Sequence, residues 1–300
     1  ASDILENINA LENGKITAHG KDIHKLPCHP RIAHMLILAE GEYNKALACD
    51  IAAIIEERDP LPKDSGIDIN LRIEALRRAR NNNSSGGKFS RIEKIASSYR
   101  NMLKIEISND PVDAYETGLL LAYAYPERIA SARPGNNAQF QLANGKIAAA
   151  GHKDDLAHES WLAVAHMDLR EGLGKIFLAA PLNPKDLVSL VKEREIITWD
   201  TRKGGIVANK ELRIGNIVLQ SKALTNPSEE KINEALCNAI KKEGDALLDF
   251  NEDVKQLQNR ILSLRKWNSE EAWPDVSTET LLESCDKWLA PYLKDIKKNE

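Results

Sequence analysis

"LLLAYAYPERIA", residues 119–130, is where the chain changes its period. Up to Tyr125 apolar residues recur close to every 3.6 positions. They do so in "RIAHMLILAE" (31–40), "NKALACDIAAIIEERD" (44–59), "DINLRIEALRRAR" (68–80), "FSRIEKIASSYRNML" (89–103) and "DPVDAYETGLLLAYAY" (110–125). Each stretch carries an apolar stripe and predicts a helix, so 29–125 reads as a helical bundle. Asp110-Pro111 is a start signal for the last helix, and Pro126 marks its end. "RNNNSSGGK", 80–88, reads as a flexible polar loop.

Beyond Pro126 the pattern becomes short β-prone runs broken by Gly and Asn: "AQFQLANGKIAAA", "WLAVAHMDL", "GKIFLAAPL", "EIITWD" and "GGIVANKELRIGNIVLQS". One helix, "NPKDLVSLVKE", is expected among them. About five strands with an inserted helix suggest a Greek-key barrel of the oligonucleotide-binding (OB) type over 126–226. Helices return over 227–300. At the other end, "SDILENINAL" and "KDIHKL" read as helices around a short strand at Ile16 and Thr17, with Asn13-Gly14 as turn chemistry. Residues 1–28 therefore read as a partial winged helix. The fold class expected is α+β and multidomain.

A chain of 300 residues, 42% hydrophobic and 29% charged, can bury a sizeable core. A net charge of -4 supplies no global field for nucleic acid or acidic lipid, so any such partner must be held by a local patch. Cys28, Cys49, Cys237 and Cys285 are far apart and form no CxxC pair, which fits a reducing, cytoplasmic setting. No apolar run reaches the ~18 residues of a membrane span.

Five Gly-Lys pairs occur, yet none has the GxxxxGK[ST] spacing that cradles phosphates, and the dipeptide Asp-Glu is absent. These residues alone are not expected to hydrolyse ATP. "HESWL", 158–162, has Leu162 where a zinc protease helix needs its second His. His19, His24, His29 and His34 recur every five residues; at about 100° per residue no helical face collects them, and Pro27 and Pro30 interrupt the segment. No metal site is expected.

Charge placement is more informative. Arg72, Arg77, Arg78, Arg80, Lys88, Arg91, Lys94, Arg100 and Lys104 face only Glu74 and Glu93 between residues 70 and 104. That excess is either a phosphate-binding patch or a set of helix charges with partners elsewhere. Residues 227–300, with 16 acidic and 11 basic residues, are not expected to be the main nucleic-acid surface. Phe140, Trp161, Phe177 and Trp199 are candidates for base stacking, with core packing the commoner fate of so few aromatics.

Six strings, in order, resemble one family: "LPCHPRIAHMLILAE" (26–40), "ALACDIAAIIEERDPL" (46–61), "LLLAYAYPERIA" (119–130), "QFQLANGKIA" (139–148), "WDTRKGGIVA" (199–208) and "EAWPDVSTETLLESCDKWLAPYL" (271–293). They are similar to the region after the ATPase core of HrpB-type ATP-dependent helicases, of the DEAH/RHA branch of superfamily 2. The resemblance covers nearly the whole chain. It implies a fragment: two RecA-like domains holding ATP and magnesium would precede residue 1, and most of a C-terminal domain would follow Glu300. Residues 29–125 would be the ratchet-like bundle and 227–300 a helical connector. Pro27 and Pro30 would fix the turn into the first bundle helix, with Ile32, Met35 and Leu36 buried and Arg31 either holding the domain junction or reaching RNA. Asp59 and Arg58 in "EERDPL" (56–61) would tie down a helix end.

The resemblance implies an accessory nucleic-acid-binding region lining part of the single-strand channel, inactive alone, with no cofactor of its own. Its partners would be single-stranded RNA or DNA and the RecA-like domains of the same chain, in a monomer. Arg128 and Arg133, at the barrel entrance, join the nine bundle cations as candidate contacts on grounds of charge. A protein-interaction scaffold with little autonomous nucleic-acid binding is the competing reading.

Overall fold

Two residues with left-handed backbone open the fold. Asn13 (φ 49°) and Gly14 (φ 73°) turn the chain between β1, Leu11–Glu12, and β2, Lys15–Ile16. Positive φ at both central residues matches the twist of a two-residue hairpin. The sequence pattern suggests one strand here; the structure has two. Before the hairpin lies α1, Ser2–Asn7, and after it α2, Ala18–His24, whose first turn is capped by Thr17 Oγ1 accepting from the Gly20 N–H at 2.9 Å. Ile8, Ala10 and Ile23 bury themselves with Ala33 of the next helix.

The computed structural model describes residues 2–62, 64–82, 87–135, 138–168, 172–248 and 250–293. Part of the loop expected over 80–88 lies outside these. The chain forms two units, Ala1–Lys192 with Arg213–Ile217, and Glu193–Leu212 with Val218–Glu300.

The bundle of the first unit comprises α3 (Pro30–Leu38), α4 (Gly41–Glu56), α5 (Ile69–Asn81), α6 (Lys88–Leu103) and α7 (Ala114–Ala124). Its stripes meet in one core that includes Met35, Leu47, Ile51, Ile73, Leu76, Ile92 and Leu121. Burying each such aliphatic side chain contributes about 1.5–3 kcal/mol. Asp68 caps α5 by accepting from Asn70 N–H at 2.9 Å, and Asp113 caps α7 by accepting from Tyr115 N–H at 2.9 Å.

After Pro126 five strands close a barrel: β3 (Ile129–Ala132), β4 (Gln139–Leu142), β5 (Ile147–Ala149), β6 (Trp161–Asp168) and β7 (Gly174–Pro181), in the order β3-β4-β5-β7-β6. β3 pairs antiparallel with β6 through Ala130↔Leu162, which completes the ring, while β5 meets β7 parallel at Ala148↔Gly174. Phe140, Leu142, Leu162, Val164 and Ile176 fill the interior. Barrel and bundle share one body: α7 lies on β7 so closely that a Cβ on Gly118 would overlap the Pro181 carbonyl oxygen.

The expected barrel range of 126–226 is too long. β8 (Lys192–Asp200), β9 (Gly205–Ile214) and β10 (Ile217–Ala223) form their own three-stranded sheet, ordered β10-β9-β8. A closed ring offers no free edge, so later strands must pair with each other. Residues 193–212 and 218–223 belong to the second unit with the C-terminal helices, not with the barrel. There Ile197, Trp199 and Ile206 pack against Ile232, Leu236 and Cys237 of α8 (Glu229–Glu243), with Cys285 and Leu293. α9 (Glu252–Trp267), α10 (Thr278–Glu283) and α11 (Cys285–Trp288) complete the unit. The helix expected over 183–193 is a 3-10 segment, Pro184–Leu190. Among the described residues no helix is long and apolar enough to cross a membrane.

Candidate nucleic-acid interface

The nine cations on α5, α6 and its C-cap divide into two groups. Arg77, Arg80 and Arg100 turn inward to one carboxylate, Asp50 of α4, which is 1% exposed. Arg80 grips it with Nη1 at 2.9 Å and Nη2 at 2.5 Å, while Arg77 Nε and Arg100 Nη1 stand 3.4 Å away. Glu93 receives a second hydrogen bond from Arg80 and one from Arg100. Burial alone would lower the Arg80 pKa, but hydrogen bonds and charge from Asp50 and Glu93 raise it above its ordinary value. Arg77 also donates to the Asp110 carbonyl and lies over the Tyr43 ring. Arg72 is likewise committed, to Asp59 at 2.8 Å and the Asp68 carbonyl at 2.9 Å. These four hold the bundle together and have little left for phosphate.

The other five, Arg78, Lys88, Arg91, Lys94 and Lys104, are exposed. Lys88 Nζ donates to the Pro60 carbonyl at 3.2 Å. Among the described residues Arg78, Arg91, Lys94 and Lys104 have no ion-pair or hydrogen-bond partner for their side chains. Along α6 the exposed positions are Lys88, Arg91, Lys94, Ser98 and Asn101, spaced three or four apart, so one outer face is basic and polar without a carboxylate. Glu93, the acid on this helix, is used internally. That face carries positive charge with no acidic partner among the described residues.

The barrel candidates are differently placed. Arg128 donates to the Ala165 carbonyl at 2.5 Å and stacks 4.5 Å from the Tyr125 centroid, whereas Arg133 donates to Gln139 Oε1 at 3.1 Å. Of the four aromatics, Phe140 is core, Trp161 and Trp199 are partly buried against the bundle core and α8 respectively, and Phe177 is 47% exposed. Phe177 borders a groove of about 810 Å³ between the α4–α5 connection, the 151–155 turn and β7. Asp59, Asp64, Asp68, Asp154 and Asp155 line it against Arg72, Lys153 and Lys175, so it repels rather than attracts a phosphate chain.

The junction residues sit together. α2 ends at His24, Pro30 opens α3, and His29 Nδ1 caps it by accepting from Arg31 N–H at 3.3 Å. Arg31 reaches the far end of α7: its Nη1 donates to the Ala124 carbonyl at 3.0 Å and to Glu127 Oε2 at 2.8 Å, and Nη2 stands 2.7 Å from Oε1. Like Arg128, it lies over the Tyr125 ring, 5.0 Å from the centroid. This geometry ties helix to helix. Asp59 accepts from the Leu61 N–H at 3.0 Å besides pairing with Arg72.

His19 and His34 meet from different helices, Nε2 to Nδ1 at 2.6 Å, a contact that spacing along a single helix does not reveal. Burial first, then His19, lowers the His34 pKa to about 4. Burial pushes the Cys28 thiol up to about 11 and Cys49 to about 12, which leaves both as unreactive thiols. Among the described residues no group of three or more His, Cys, Asp and Glu is placed to hold a metal ion.

The chain carries a helical bundle and a closed barrel in its first unit and a sheet with helices in its second. Two solved structures of Escherichia coli HrpB, one described as a DExH-box NTPase and one as a DEAH/RHA helicase, match it with a TM-score of 0.65 each. They are 28% and 26% identical, over 99% of this chain and 35% and 36% of theirs. The curated ATP-dependent RNA helicase HrpB of E. coli K12 is 30% identical over 305 residues, again 99% of this chain. A family sequence model described as the connector region of ATP-dependent RNA helicase HrpB matches residues 190–224. Over 99% of its length the chain is similar to HrpB helicases. It spans 35% of the length of that curated relative.

Proposed function

We propose that this chain is the accessory nucleic-acid-binding region of an ATP-dependent DExH-box RNA helicase, lining part of its single-strand channel. The observation that carries the reading is the uncompensated basic face of α6, Lys88, Arg91 and Lys94, with Arg78 on α5, in a protein of net charge -4. The relationship to a helicase named for RNA supports RNA over DNA as the strand. In this reading 1–28 is the end of a winged helix, 29–125 a ratchet-like bundle, 129–181 an OB-like barrel, and the second unit a connector. Arg31, Pro27 and Pro30 hold the joint between the first two.

These 300 residues hold neither a phosphate-cradling Gly-rich loop nor an Asp-Glu pair for magnesium, so they do not fit a nucleotide site. ATP hydrolysis is assigned to RecA-like domains of the parent helicase, a monomeric cytoplasmic enzyme. Grip is the contribution of this region.

The test is a fluorescence-anisotropy titration with single-stranded RNA at two salt concentrations, comparing wild type with a variant carrying Arg78→Ala, Arg91→Ala and Lys94→Ala. Removing one cation from a phosphate reduces the slope of log K against log salt by about 0.7, so the triple variant is expected to flatten it by about two units. A folded wild type that does not bind, or a variant that binds equally well, overturns the reading.

A further inference from the structure

α9 is a 16-residue helix whose one buried residue is polar. Gln258 Nε2 donates to the Val276 carbonyl at 2.9 Å and to Thr278 Oγ1 at 3.4 Å, and Arg265 pairs with Asp275. Its apolar side chains bury less. Leu257 is 55% exposed and Trp267 75%, while Val254, Ile261, Leu262 and Leu264 are half-buried. A lone helix of this length is marginal in water, since helices in proteins draw most of their stability from packing an apolar face.

The spacing says what shape is missing. Val254, Leu257, Ile261 and Leu264 follow one another at intervals of three, four and three, the seam a second helix fills. The charge says what chemistry it carries. The first turn holds Glu252 and Asp253; from Val254 onward come Lys255, Arg260, Arg265 and Lys266 with no carboxylate. Taking Val254 and Leu257 as the first two seam positions, Arg260 and Arg265 flank the seam; Arg265 already pairs with Asp275, so Arg260 is the flanking cation with no partner among the described residues.

We propose that this face of α9 docks an amphipathic helix of a protein partner whose seam is apolar and whose flanking positions are acidic. A second copy of the chain does not suit it. A parallel pair sets Arg260 beside the partner's Arg265, and an antiparallel pair sets the two Arg260 side chains together; both are like-charge contacts. The acidic balance of the C-terminal region conceals this locally basic stripe. The site is separate from the α5–α6 cations, so it stands whether or not they bind RNA.

The probe is a labelled 21-residue peptide with Ile and Leu at the seam positions and Glu at the flanks, titrated by anisotropy into the whole chain. A Lys-flanked version and phosphatidylserine vesicles run in parallel. The Glu peptide should bind more tightly than the Lys peptide. Leu257→Asp, at an exposed position, should weaken binding about tenfold or more, the worth of one leucine returned to water. Arg260→Glu should reverse the preference between peptides while circular dichroism stays unchanged. Failure of the Glu peptide to bind, equal affinity for both peptides, binding that both variants leave unaltered, or vesicle binding in place of peptide binding would each overturn the assignment.

Discussion

Asp50 accepts both terminal nitrogens of Arg80 from a position where it is 1% exposed, so the centre of the bundle is an ion pair enclosed by aliphatic side chains. Arg77 and Arg100 add two more cations, and the sole further acid in contact among the described residues is Glu93. Asp50→Asn keeps the shape and removes the charge that three guanidiniums share. Breaking a buried pair from one side costs about 3–5 kcal/mol, because desolvated charge is left behind. The expected result is a fall of that size in the urea unfolding free energy with the m-value unchanged. A loss below about 1 kcal/mol would mean that the arginines escape to water.

Exposed and buried arginines on the same helix should separate binding from stability. Arg78 and Arg80 are two positions apart on α5, one turned to solvent and one to Asp50. Arg78→Ala is expected to stay within about 0.5 kcal/mol of wild type in unfolding and to weaken RNA binding. Arg80→Ala should lower stability by several-fold more. Equal stability losses from paired denaturation curves would contradict the division.

Gly118 makes the seam between bundle and barrel. Its Cβ position is filled by the Pro181 carbonyl oxygen and the adjoining Leu182 backbone. Backbone cannot rotate aside as a long side chain can, so Gly118→Ala must lift α7 from β7. A cost of about 1–3 kcal/mol is expected, the range for overpacking a close contact. Thermal melts would read it, and an unchanged melting temperature would show that the helix shifts freely.

Much of this fold is legible in the residues themselves. The switch at Pro126 from a 3.6 period to short strands locates the end of the bundle, because Pro cannot continue a helix and β-prone residues follow it. Where the barrel stops is not legible: β7 and β8 look alike as strings, and ring closure between β3 and β6 is a long-range pairing that no local pattern reports. The fate of the arginines is partly written in the sequence. Ile73, Leu76, Arg77 and Arg80 fall at spacings of three, one and three, so both arginines continue the apolar stripe of α5, and Asp50 stands between Leu47 and Ile54 on α4. Charge on a core-facing stripe calls for an internal partner. Counting charge along the chain, without asking which face carries it, merges structural arginines with surface ones. The stripe of α9 is readable as spacing, but the exposure of Leu257 within it is not, since burial depends on what lies opposite.

The pH dependence of the N-terminal module follows from His34. Buried and 2.6 Å from His19, it is held neutral, with its pKa lowered from 6.5 to about 4. The unfolded chain takes up a proton below about pH 6.5 and the folded chain does not until about pH 4, so protons favour unfolding across that window. The stabilisation is complete above about pH 6.5 and declines as pH falls, by roughly 3 kcal/mol at pH 4. His34→Gln keeps a donor and an acceptor for His19 but does not titrate. Carboxylates in general also titrate toward the acid end, so the quantity to compare is the difference between wild type and variant, which cancels them. Unfolding free energies measured at steps from pH 7 to pH 4 should show wild type losing stability faster than His34→Gln, with the curves approaching or crossing toward the acid limit. Parallel curves would mean that His34 is as easily protonated in the folded protein as in the unfolded chain, and that its contact with His19 does not exclude the proton.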